Sequence, residues 1–262
     1  MLKELLFFKK QAKHDQENVH FPQGELQTLD FSLIPKHVAI IPDGNRRWAR
    51  KNNIFPEEGH RAGTDSILRI IRASKQIEIE ILSFYIFSTE NWLRPAQEIK
   101  AQMRLLEKSL IEQRQNMLDN GVKFLTIGNL SKFSPSIIKI VEETKKATAH
   151  CKDITVVFAM NYGSRDELRR AFTKMLEDYS KGKIDTQHIS EALISNYLDT
   201  SNWRDPDLFI RTGGEYRLSN FLLWQMSYSE LYTTNVYWPE FTPMHLLEAV
   251  REFQKRDRRL GA

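Results

Sequence analysis

The sequence predicts a single α/β domain, a mostly parallel central sheet flanked by helices, on two observations. Short apolar, β-branched runs alternate with segments of helical periodicity from residue 37 onward. No repeat, low-complexity tract or evident linker divides the 262 residues. Composition agrees, since 41% hydrophobic and 27% charged residues can bury a sizeable core.

Residues 1–36 read as an N-terminal leader, partly helical or loosely ordered, that ends at Pro35; residues 37–262 read as the α/β domain. The first strand is 37–41, where Val38, Ala39, Ile40 and Ile41 run into Pro42. A helix follows from about 60 to 76, with Ile67, Ile70, Ile71 and Ile77 on one face. The second strand, 81–86, empties into Phe87-Ser88-Thr89-Glu90-Asn91-Trp92-Leu93-Arg94. Pro95 then opens a long helix to about 118, proline being at home in a first turn. Asn120-Gly121 ends that helix before a third strand, 122–127. Ser134-Pro135 reads as a cap and first turn for a helix to about 150. A fourth strand, 154–160, stops at Asn161-Tyr162-Gly163. Ser164 and Glu167 have the spacing of a capping box for a helix with Leu168, Ala171, Phe172, Met175, Leu176 and Tyr179 on its apolar face. A helix over 186–198, a strand at 208–210, an edge strand at 236–238 and a final helix from Thr242-Pro243 to about 258 complete the reading.

The formal charge of +4 suits an anionic substrate, nucleic acid or acidic lipid equally. A lone cysteine, Cys151, excludes an internal disulfide and makes a reducing, cytoplasmic location the expectation. No apolar run is long enough to span a bilayer. The N-terminal patch of Leu2, Leu5, Leu6, Phe7 and Phe8 is too short and too flanked by lysine for a secretory signal. It is expected to pack on its own domain or fray, a membrane-surface helix being the other reading.

In an open α/β sheet, ligands bind beyond the carboxyl ends of the strands. Those positions hold Asp43-Gly44-Asn45-Arg46-Arg47-Trp48, the 88–94 segment, Asn161-Tyr162-Gly163, and Arg211 through Asn220. Arginine forks, glycine amides and small hydroxyls are the groups that grip diphosphates. A carboxylate beside them suits Mg²⁺ bridging phosphate oxygens. Each feature alone is also ordinary turn, helix-face or core chemistry; their convergence on one sheet edge favours a site. Other chemistries lack their marks. The seven histidines have no HxxxH spacing, and one cysteine rules out a thiolate zinc site. P-loop, GxGxxG and GxSxG patterns are missing.

HVAIIPDGNRRWAR (37–50), GHRAG (59–63), FSTENWLRP (87–95) and RTGGEYRLSNFLLWQMSYSELY (211–232), in this order, resemble the signature blocks of the cis-prenyltransferases, with bacterial undecaprenyl diphosphate synthases most similar. The resemblance runs from about residue 36 to the end. It implies condensation of isopentenyl diphosphate units onto an allylic primer such as farnesyl diphosphate, with cis double bonds, Mg²⁺ and a homodimer. A transient membrane-surface contact for release of a greasy product goes with it. The DDxxD motif of trans-type enzymes is absent, leaving Asp43 as the main carboxylate at the diphosphate.

Residue by residue, the resemblance implies that Asp43 is catalytic and binds Mg²⁺. It places Gly44, Asn45, Arg46, Arg47 and Trp48 on the allylic diphosphate with His60 nearby, and Ser88, Thr89, Glu90, Trp92 and Arg94 in a substrate loop. Asn91 takes the place of a proposed proton acceptor, although an amide has no useful proton affinity near neutral pH and suits a positioner better. Arg211, Arg217, Leu218 and Ser219 match the isopentenyl diphosphate site, Glu230 a second metal carboxylate, and Arg259-Leu260-Gly261 a tail that reaches the neighbouring subunit. Pro56 stands where some members place a phosphate-contacting arginine, a loss that Arg50 or Arg61 would have to cover. Tyr216 stands where some have a metal-linked histidine. Phe84 to Phe87 and Phe221 to Leu223 are the expected tunnel walls or else plain core; product length is not legible. Two rivals stand beside this reading. The basic pI of about 9.0 and Arg46-Arg47-Trp48-Ala49-Arg50 suggest a nucleic-acid-binding module, but the arginines gather at strand ends instead of forming a stripe. A silent partner subunit of another prenyltransferase should lack the active-site set that is present here.

Overall fold

The computed structural model describes residues 21–257. The chain forms β1 (His37–Ile41), α1 (Asn45–Lys51), α2 (Pro56–Gln76), β2 (Ile81–Ser88), α3 (Ala96–Asp119), β3 (Val122–Ile127), α4 (Pro135–Thr148), β4 (Ile154–Tyr162), α5 (Ser164–Ser180), α6 (Glu191–Asn196), β5 (Leu208–Arg211), β6 (Glu230–Thr233) and α7 (Pro243–Gln254). One six-stranded sheet has the order β3-β4-β2-β1-β5-β6. Every neighbouring pair in it is parallel.

β1 reads as an unbroken apolar run because it is buried along its whole length in the middle of a covered parallel sheet. Alternation sends Val38 and Ile40 into the larger core, with Ile70 and Ile71 of α2, Leu106 and Leu110 of α3 and Leu246 of α7. Ala39 and Ile41 face a second core with Phe209, Phe221 and Leu222. Pro56 opens α2 with Glu57 and Glu58 in its first turn, where acidic side chains complement exposed amides. Ser134 Oγ accepts from Ile137 N ahead of Pro135, as the sequence predicts for α4. Gln102 meets His60 and Asn120 O meets Lys75, so α2 and α3 run side by side in one direction. Their amino ends therefore flank the carboxyl edge of the sheet.

Several expectations are corrected. The 236–238 edge strand is β6 instead, because Glu230–Thr233 pairs with β5 while Trp238–Glu240 forms a 3-10 turn. The 186–198 helix is a 3-10 turn followed by the short α6. The Ser164/Glu167 capping box does not form. Ser164 Oγ accepts from Leu223 N, and Glu167 turns inward to accept from Tyr162 Oη at 2.5 Å and Gln225 Nε2 at 3.1 Å. Only Ala171 and Met175 of the apolar α5 positions are buried; Phe172, Leu176 and Tyr179 are 51%, 68% and 52% exposed. Residues 21–36, the end of the leader read as partly helical or loosely ordered, make two 3-10 turns, which adds detail to that reading without correcting it. Phe21, Leu29 and Ile34 join the core, and Arg251 of α7 pairs with Glu25. The N-terminal apolar patch and Arg259-Leu260-Gly261 lie outside the described residues.

Candidate active site

β1 delivers Asp43 to the carboxyl edge beside β5, whose Arg211 is in register with Ile41. Gly44 has φ +107°, and a Cβ there would lie 2.7 Å from Tyr237 Cδ1. Glycine thus meets both a left-handed backbone and a close approach. α1 starts at once, a helix the strand-and-helix pattern did not predict. Its floor is α2, where a Cβ on Gly59 would lie 2.3 Å from Asn45 O and one on Gly63 2.6 Å from Asn45 Oδ1. The GHRAG block therefore lets the turn sit directly on α2, and Trp238 Nε1 donates to Gly63 O at 2.8 Å.

Asp43 divides its oxygens between two arginines. Oδ1 lies 3.1 Å from Arg47 Nη2 and Oδ2 3.0 Å from Arg211 Nη2. Arg47 also donates to Gly213 O at 2.6 Å and to Glu215 Oε1 at 3.2 Å. Arg211, only 4% exposed, donates to Ser219 Oγ at 2.8 Å and to Arg217 O; its buried Nε has no partner among the described residues. Arg217 pairs with Glu215. Across the cleft Glu98, missed in the sequence reading, lies 3.5 Å from both Arg46 and Arg94. Its signal was the i,i+4 spacing from Arg94. His60 accepts from Gln102 Nε2 across 3.2 Å. Burial, reinforced by Arg94 and Arg46, holds its imidazole below the usual range. The arginines thus face acidic partners that an incoming diphosphate could replace, an arrangement unlike an extended nucleic-acid stripe.

The structure brings most predicted residues to one cleft: Asp43, Gly44, Asn45, Arg46, Arg47, His60, Ser88, Glu90, Asn91, Arg94, Arg211, Arg217 and Ser219 line it, with Arg50. Asn91 Oδ1 accepts from Ser88 N at 3.2 Å, which orients the amide. Others support the site from behind. Trp48 Nε1 donates to Glu240, Trp92 packs edge-on against Phe87, Leu218 packs in the second core, and Thr89 lies against Gly163. Of the two arginines that could cover for Pro56, Arg61 pairs with Glu58 and Arg50 lines the cleft. Glu230 stands apart from the cleft. It is level with Leu208 at the amino end of β5 and pairs with Arg256 at 2.7 Å. Register therefore sets it a strand length from Asp43 within this chain, and it does not join the cluster.

The cleft, about 900 Å³, continues from the arginines between α2 and α3, past Ile67, Ile71, Met103, Leu106, Leu110 and Met117. Of the expected walls, Tyr85, Ile86 and Phe87 take part, whereas Phe84 and Phe221 are fully buried core. Helical periodicity hid the passage, because a side chain lining a void and one filling a core share the same spacing.

Among the described residues no three His, Cys, Asp or Glu side chains cluster as a metal cage. Asp43 offers one carboxylate at the cleft. That donor set fits Mg²⁺, which takes one or two protein carboxylates and completes its shell with water and substrate phosphate; it does not fit a structural zinc site.

A cationic turn opening into an apolar passage defines a protein for amphiphilic ligands with an anionic head. A family profile described as "Putative undecaprenyl diphosphate synthase" matches residues 41–261. The "Isoprenyl transferase" of Chlamydia trachomatis serovar D is 45% identical over 96% of this chain and 98% of its own. That of Geobacillus kaustophilus is 44% identical over 97% and 98%. The crystal structure of lavandulyl diphosphate synthase from Lavandula x intermedia, in complex with dimethylallyl diphosphate, superposes with a TM-score of 0.86 at 30% identity, covering 88% of this chain and 100% of that one. A "probable undecaprenyl diphosphate synthase" from Campylobacter jejuni gives 0.74 at 32%, covering 87% and 99%. The chain belongs to the undecaprenyl diphosphate synthase family of cis-prenyltransferases.

Proposed function

We propose that the protein condenses isopentenyl diphosphate units onto an allylic diphosphate primer, farnesyl diphosphate, with cis double bonds. The product is a long-chain polyprenyl diphosphate, taken to be undecaprenyl diphosphate, the lipid carrier of cell-wall glycan. The observation that carries this reading is the continuity of the Asp43–Arg47–Arg211 cluster with the apolar passage between α2 and α3. An isoprenoid diphosphate has that division of charge and grease.

In this reading the first amides of α1, which lack intrahelical acceptors, and the guanidinium groups of Arg46, Arg47 and Arg94 hold the allylic diphosphate. As its carbon–oxygen bond breaks, negative charge grows on oxygens that pre-placed donors already face. Asp43 would hold Mg²⁺ here, and the ion would supply further positive charge at the leaving group. Arg211, Arg217 and Ser219 hold isopentenyl diphosphate so that its double bond attacks the allylic carbon. The resulting cation loses a proton to a diphosphate oxygen, with Asn91 as positioner. The exposed stripe of Phe172, Leu176 and Tyr179 on α5 supports a second copy of the chain as its cover.

The test is a split in substrate dependence. Arg217→Ala should raise the KM for isopentenyl diphosphate by about tenfold, the loss of one charge-assisted contact, with little change for the primer. Arg46→Ala should do the reverse. Equal movement of both constants in both variants would contradict the division of the site.

A further inference from the structure

Ser219, Asn220 and Leu222 all have left-handed backbones, at φ 51°, 64° and 46°. Three such residues in a four-residue stretch are uncommon and carry strain that surrounding structure must hold. Asn220 is where that hold concentrates. Its carbonyl accepts from Ser164 N at 2.8 Å and its Oδ1 from Arg165 N at 3.0 Å. It thereby caps α5 from a distant part of the chain. Its remaining amide donates across the cleft, Nδ2 to Glu90 Oε1 at 3.1 Å. Gly163 makes room for this. Its backbone is extended, yet a Cβ would lie 2.6 Å from Asn220 Nδ2 and 2.7 Å from Thr89 Oγ1. Tyr85 Oη, 3.2 Å from Ser219 O, braces the same segment from below.

We propose that Asn220 is a positioning residue that ties the segment carrying Ser219 and Arg217 to the loop carrying Glu90 and Asn91. The two substrates then meet in one fixed frame. The proposal rests on the condensation reading above and adds a residue that spans both halves of the site. The geometry supports an ionised Glu90 as acceptor. Burial pushes its carboxyl up, but hydrogen bonds from its own amide, Ser88, Asn220 and Thr89 outweigh this and hold it below the usual range. Asparagine also suits the position twice over, since it tolerates a left-handed backbone and offers an acceptor and a donor on one side chain.

The test is a double-mutant cycle on the full chain, with farnesyl diphosphate, isopentenyl diphosphate and Mg²⁺. Asn220→Asp keeps the acceptor for Arg165 but sets a carboxylate against Glu90. In the Glu90 background it should raise the KM for isopentenyl diphosphate about tenfold, a lost charge-assisted bond plus repulsion. In the Glu90→Gln background the introduced amide can donate to the introduced carboxylate, and the same change should cost less than about threefold. Asn220→Gly, which permits the left-handed backbone but removes the side-chain cap of α5, should lower the thermal midpoint by about a few degrees and still raise that KM. An equal penalty in both backgrounds would overturn the proposal, as would Asn220→Gly matching the parent chain. Failure of the parent chain to turn over would overturn the condensation reading instead, so the two failures are distinguishable.

Discussion

Asp43 gives one oxygen to Arg47 and the other to Arg211, while its carbonyl accepts from Thr212 Oγ1 at 2.7 Å. Asp43→Asn keeps that shape and removes the charge. Condensation should fall about 100-fold or more, the scale of losing one electrostatic element of an active site, with circular dichroism unchanged; near-normal turnover would refute the role. A different residue governs stability. His37 is fully buried at the other end of β1, donating from Nδ1 to Arg204 O at 2.7 Å and accepting at Nε2 from Ser83 at 2.8 Å. Desolvation lowers its pKa from 6.5 to about 4, despite the carbonyl of Arg204 and the charge of Asp207. The neutral form belongs to the fold, so this contribution is intact above pH 6.5 and is lost as pH falls from there toward 4. Proton binding by the unfolded chain should remove about 3 kcal/mol over that window. Denaturant titrations at pH 7 and 4.5 should show a smaller pH difference for His37→Asn than for the parent chain. The Asp43 turn was legible because its chemistry is contiguous in sequence. His37 was not, because its partners come from residues 83 and 204.

At the scale of elements, α1 rests on α2 through two glycines. Gly63→Ala would set a methyl carbon 2.6 Å from Asn45 Oδ1 and push the first turn of α1 out of place. The KM for the allylic primer should rise by about tenfold or more, since misplacement of about an ångström is costly in an active site; that for isopentenyl diphosphate should move less. The opposite order would place Gly63 elsewhere in the mechanism. The passage between α2 and α3 gives a second expectation. Leu106 lines it midway, so Leu106→Trp should leave the first condensation running while chromatography shows shorter products. An unchanged product length would mean that the chain grows along another route. Neither feature could be read from periodicity. The GHRAG block was visible as a motif, but its function as a flat floor depends on α1, which the strand pattern passed over.

For the whole molecule, alternation of apolar runs and helices was enough to read a parallel sheet, because parallel strands need crossovers and are buried on both faces. Strand order was not legible, since β1 pairs with β2 and β5 across long intervals of chain. Glu230 shows the consequence. Its position within a recognisable block suggested the cluster, but the register of β6 against β5 carries it to the other edge. Phe172, Leu176 and Tyr179 show another: their spacing read as core, whereas the fold leaves them outward. What the architecture adds is convergence, with the ends of β1, β2 and β5 and the amino ends of α2 and α3 meeting over one cleft. The most direct test of the claim that this cleft builds an isoprenoid chain is incubation of the purified protein with farnesyl diphosphate, radiolabelled isopentenyl diphosphate and Mg²⁺, followed by chromatography of the products. Label in a ladder of longer polyprenyl diphosphates is the predicted result; label remaining wholly in isopentenyl diphosphate would contradict it.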